Sequence, residues 1–187
     1  MSLVDLIAQA DERGLAASGL ACLDRCVPLL GGDDETLRPV WGGLAQGAPA
    51  DAWETALEQV RGKLAGADAA AAGEDEAVLL AGRMLAAAPD DRSAAGVREW
   101  ADACSVASLQ IHRLLDPAED DAPVDSRRQG RTDGMSPLVA AELRRQITVL
   151  ELLADHGAAG LRPALEVSTE GRRVLRAAVS RRTRLRG

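Results

Sequence analysis

Two cysteines four positions apart, Cys22 and Cys26, are the residues whose type and spacing come nearest to chemistry. On a helix that spacing sets both thiols on one face, where two thiolates can share a metal ion or take part in redox exchange. Cys104 and His112 could complete a set of four ligands. A competing reading packs the same thiols as small hydrophobes. Cys22 and Cys26 align with Leu15, Gly19 and Leu29 in an apolar stripe, and Cys104 lies within the clearest apolar seam of the chain. Structural zinc sites pair closely spaced ligands around a turn, a pattern missing here. No metal or cofactor is expected; Cys22, Cys26, Cys104 and His112 stand as weak metal candidates.

The other reactive types are sparse. His112 flanks that seam, and His156 sits where a helix ends, a place that suits an imidazolium beside terminal carbonyls. Neither is placed for catalysis by any recognisable order of partners. The acidic clusters Asp33–Glu35, Glu74–Glu76 and Glu119–Asp121 lack the alternating acids and central glycine of a calcium loop. Two of them fall where helix starts favour negative charge. Gly31-Gly32 and Gly42-Gly43 follow no strand and precede no Gly-Lys-Ser/Thr, so they mark turns or close packing rather than a phosphate loop.

Charge is split along the chain. Residues 1–125 carry 23 acidic and 9 basic side chains, a net of −14, whereas 126–187 carry 6 and 13, a net of +7. Seven arginines, Arg172, Arg173, Arg176, Arg181, Arg182, Arg184 and Arg186, crowd the last stretch. Such an arm can dock an acidic protein, including this chain's own acidic body, or neutralise phosphates. It has no aromatic residue to stack on bases, and no apolar anchor large enough for a membrane surface. Its arginines past Ser180 spread around the helix. The arm is therefore read as the partner-binding element. A protein partner or self-association is favoured, nucleic acid is the alternative, and a membrane is not expected.

These residues must be positioned by helices. Phe and Tyr are absent and the aromatics are Trp41, Trp53 and Trp100. A core of alanine and leucine suits close helix packing better than a pleated sheet. Apolar residues recur at helical spacing over 2–30 (Ala16, Leu20, Leu23, Val27, Leu30), with Gly14 as a possible break. Further helices are expected over about 33–46, 49–65, 74–88 and 91–115, with 66–73 as a loop or weak helix start. Val97, Trp100, Cys104, Ala107, Ile111 and Leu114 form a near-heptad seam on the fifth. Ser136-Pro137 signals the start of a sixth. A short element at Leu161 and Leu165 and a last helix capped by Ser168 follow.

The expected fold is all-α, an antiparallel bundle of about six or seven helices, with a short α-solenoid of helix pairs as the alternative. Residues 1–116 are expected to form an acidic bundle and 117–135, nearly free of apolar residues, a flexible linker. Residues 136–187 are expected to add two helices and the basic arm, packing back on the bundle. An odd number of cysteines and the lack of a secretory pattern suggest a cytoplasmic, reduced chain. A catalytically poor inventory favours a non-enzymatic interaction, adaptor or regulatory protein. The alternatives are a nucleic-acid-associated regulator and, less favoured, a helical enzyme or metal-binding bundle.

Overall fold

The computed structural model describes residues 1–68 and 75–187, side chains of 66–68 excepted. Its helices are α1 (Leu3–Gln9), α2 (Glu12–Cys26), α3 (Arg38–Ala45), α4 (Ala50–Asp68), α5 (Glu76–Ala86), α6 (Ala94–Leu115), α7 (Val124–Arg128), α8 (Pro137–His156) and α9 (Leu161–Arg186). Tight 3-10 turns follow α2 and α8, at Val27–Leu30 and Gly157–Gly160. No strand occurs among the described residues, and no described helix is long and apolar enough to cross a membrane. The fold is an all-helical bundle.

Local chemistry sets the helix starts. Ser2 and Asp5 form a reciprocal capping box on α1, and Asp11, Asp75 and Ser93 each accept a backbone N–H in the first turn of α2, α5 and α6. The Asp11 cap, rather than Gly14 alone, divides the first apolar segment in two.

The bundle is organised around α2. From Gly14 through Val27 every residue is buried. The two apolar stripes of the sequence together cover the whole circumference, which makes α2 a central helix rather than an amphipathic one. It packs against α6, α8 and α9, elements far apart in the chain. A solenoid, in which each unit touches only its neighbours, does not build such a centre. Close approach needs a missing side chain at Gly19, where a Cβ would come within 2.6 Å of the Trp100 ring. Trp100 and Trp53 meet edge to face with centroids 6.1 Å apart. All three tryptophans are buried and each indole N–H has a partner: Asp24, Pro89 O and Met84 O for Trp41, Trp53 and Trp100.

Several expectations change. The segment 117–135 is not a loose linker. Arg127, buried on α7, donates to Asp120 Oδ1 at 3.1 and 2.6 Å and to the carbonyls of Arg131 and Asp133 at 3.0 and 2.7 Å. Asp120 Oδ2 in turn accepts the Ser136 N–H at 3.2 Å. Charged side chains hold this stretch, joined by Val124 and Met135, which pack against the core. Ser136 opens α8 without a side-chain cap bond. The short element and the last helix are one continuous α9, and Ser168 lies buried inside it, donating back to Ala164 O at 3.0 Å instead of capping. Residues 33–37 form turns ahead of α3 rather than its first turn. The expected loop over 66–73 lies outside the described residues beyond the helical backbone of 66–68, as does Glu74.

Candidate functional site: a buried polar network and a half-docked arginine helix

Between Gly14 and Gly32 the only charged residues are Asp24 and Arg25, both on α2 and both buried. Each has recruited a counter-charge from the C-terminal third. Arg25 meets Glu142 of α8 fork to fork, Nε to Oε2 at 2.8 Å and Nη2 to Oε1 at 2.7 Å. Neither side chain is exposed. Glu142 Oε1 also accepts from Ser108 Oγ of α6 at 2.8 Å and from Gln146 Nε2 at 2.9 Å. Gln146 Oε1 accepts from Ser105 Oγ at 2.7 Å, and Ser105 Oγ accepts from Arg128 Nε of α7 at 3.1 Å. Arg128 also pairs with Asp102 of α6. One connected network thus ties α2, α6, α7 and α8 together.

His112 lies within it. Its Nδ1 is 2.7 Å from the Ser108 carbonyl oxygen, which has no hydrogen to give, so Nδ1 is the donor. Nε2 is 3.6 Å from Glu142 Oε2 and has no hydrogen-bond partner, as is also true of Arg25 Nη1. Burial holds the imidazole below its usual pKa, against the pull of Glu142, so Nε2 carries a bare lone pair. Burial works against the Glu142 carboxylate too, but the Arg25 charge, then the neighbouring His112 and the hydrogen bonds from Arg25 and Gln146, outweigh it and bring the group down to about 2.

The three cysteines border this network without forming a ligand set. Arg25 Nη2 lies 3.5 Å from Cys22 Sγ, and Cys26 Sγ lies 3.7 Å from Ser108 Oγ. Burial pushes the Cys22 thiol up to about 12 and raises Cys26 and Cys104 as well. All three are buried, raised thiols, poorly suited to act as nucleophiles. Among the described residues, no three His, Cys, Asp or Glu side chains converge to hold a metal ion.

The arginine arm divides into two groups. Arg172 is buried, pairs with Asp24 of α2, and reaches Asp34 at 3.2 Å and Thr169 Oγ1 at 3.1 Å. Arg176 meets Asp34 at 2.8 Å, which holds that carboxyl below the usual range. Arg182 pairs with Asp75, and Arg186 approaches it at 3.8 Å. These four face the chain's own acidic body. Arg173, Arg181 and Arg184 are exposed and make no ion pair among the described residues. Their spacing of eight and three places them along one side of α9, a stripe that the sequence reading, which spread the arginines around the helix, did not separate.

Glu142, Gln146, Arg25 and Asp24 escaped the sequence reading, although a signal was present. Glu142 and Gln146 interrupt the buried stripe Val139, Leu143, Val149, Leu150, Leu153 of α8 at stripe spacing. Asp24 and Arg25 are isolated charges in an otherwise uncharged run. No protein family model, curated protein or solved structure matches this chain.

Proposed function

We propose that the protein is a non-enzymatic interaction protein that docks an acidic protein surface on the outer face of α9. The observation carrying this reading is the division of labour along that helix. Arg172, Arg176, Arg182 and Arg186 are occupied by Asp24, Asp34 and Asp75. They hold the helix against the body, and Arg173, Arg181 and Arg184 project from a scaffold that is already ordered. A preorganised cationic stripe loses little entropy on binding, and complementary charge speeds and orients encounter. The groups that could perform covalent or acid–base chemistry support the same reading. Cys22, Cys26, Cys104, His112, Arg25 and Glu142 are each no more than 1% exposed, and His156, which is exposed, stands at the C-terminal end of α8 with no catalytic partner among the described residues.

The test is a comparison of the full chain with its Arg173→Glu, Arg181→Glu, Arg184→Glu triple variant as bait, at low and high salt, with and without nuclease. A protein partner bound by the wild type at about 50 mM salt and released at about 500 mM supports the reading, given the short Debye length there, provided the variant fails to bind it. Capture that disappears with nuclease favours a nucleic-acid-associated regulator instead. Equal capture by both chains removes α9 from the interface.

A further inference from the structure

We propose that the acidic partner is a second copy of this chain, whose groove between α1 and α8 receives the exposed end of α9. The proposal rests on the reading of α9 above and names the surface it binds. The groove encloses about 570 Å³. Met1, Leu6, Ala10 and Ala154 supply its apolar lining over the nearly buried Leu150 and Leu153, and Asp11, Glu151 and Asp155 are exposed acids around it. Glu151 and Asp155 make no ion pair among the described residues.

The last turn of α9 has the complementary pattern. Leu185 is 83% exposed, the most exposed leucine of the described chain. Arg181 stands four positions before it, on the same side of the helix, and Arg184 stands three beyond Arg181, on that residue's other flank. An apolar side chain beside two cations that make no ion pair among the described residues matches an apolar groove rimmed by carboxylates.

A single copy cannot make this contact. Gly157 lines the groove and α9 begins at Leu161, so the groove lies beside the start of α9. Leu185 lies near its other end, roughly 36 Å away at the helical rise per residue. Arg182 and Arg186 hold that end against Asp75. The contact joins two different surfaces, so association is head to tail and either closes into a ring or extends as a chain. With one helical turn inserted, the interface is small and assembly is expected only in the upper micromolar range.

The experiment is sedimentation analysis of the full chain from about 1 to about 300 µM at low and high salt, a range that covers weak association. Two charge reversals are measured beside it: Glu151→Lys with Asp155→Lys in the groove, and Arg181→Glu with Arg184→Glu on the helix. All four positions are exposed, and a thermal melt confirms that each variant folds. The wild type should assemble with concentration and weaken at least tenfold at high salt. Each variant alone should weaken at least tenfold, and an equimolar mixture of the two, in which the reversed charges meet, should regain assembly. A wild type that stays monomeric throughout, reversals without effect, or a mixture that fails to recover overturns the proposal. A monomeric wild type that still captures an acidic protein through Arg173, Arg181 and Arg184 overturns this proposal and leaves the broader reading standing. Loss of both overturns the two together.

Discussion

Arg25 and Glu142, 117 positions apart in the chain, meet as a two-point ion pair from which solvent is excluded. The pair fixes the register of α8 against α2, because the planar guanidinium accepts the carboxylate in one orientation. Gly171 leaves room for it: a Cβ there would lie 2.2 Å from Arg25 Cδ. Ser108, Gln146 and His112 then close around the carboxylate from two further directions.

Removing one partner should cost more than removing both. Glu142→Ala leaves the Arg25 charge buried without compensation and is expected to destabilise the fold by about 3–5 kcal/mol. The double change Arg25→Met with Glu142→Leu should cost clearly less than Glu142→Ala, since no charge is stranded. Urea denaturation of the three chains measures this. A double variant less stable than the single one would show that the pair contributes attraction well beyond avoided desolvation.

Acid should weaken the protein through the same site. Glu142 has a folded value of about 2 against an ordinary 4.5, so its contribution is complete above 4.5 and is lost as pH falls towards 2. His112 is also held below its ordinary 6.5. The unfolded chain therefore takes up a proton below that pH that the folded chain refuses, and the sign is the same. Unfolding free energy should fall mildly below pH 6.5 and steeply below 4.5. In the Arg25→Met, Glu142→Leu variant the steep part should flatten; an unchanged slope would assign acid sensitivity elsewhere.

The cysteines should be silent in the folded state. Cys22, Cys26 and Cys104 are buried and their thiols are raised. A thiol reagent such as dithionitrobenzoate should therefore find essentially none at pH 8 and all three after denaturation. Fast reaction of even one thiol in the native protein would contradict its burial.

Neighbouring arginines on α9 should behave differently. Arg172→Ala strands the buried Asp24 carboxylate, with the Trp41 N–H at 2.9 Å as its remaining partner, and is expected to cost about 3–5 kcal/mol. Arg173→Ala, on the exposed side, should stay within about 0.5 kcal/mol of wild type. Thermal melts distinguish them. Deleting 168–187 should unfold the body rather than trim an arm, because Leu175 and Ala178 are core residues.

Gly19→Ala should cost about 1–3 kcal/mol, as overpacking does. The new methyl group would press on the Trp100 ring. A neutral change in the melting temperature would mean that α2 and α6 can move apart without loss.

The sequence by itself determined the helical class, most helix positions, and the burial of Cys22, Cys26, Cys104 and the tryptophans. Those follow from period and side-chain type, which act over a few residues. The seam Val97, Trp100, Cys104, Ile111 needed no partner to be recognised. Tertiary structure alone decided where the charges went. Asp24 and Arg25 stand out in the sequence as isolated charges, but their partners are fixed only when α8 and α9 bring Glu142 and Arg172 to them. Residues 117–135 look disordered until Arg127 finds Asp120 and two carbonyls. Apolar burial is additive and can be read locally, whereas a buried charge is tolerable only when a specific counter-charge arrives with the right geometry. In this chain those counter-charges lie 117 and 148 positions away.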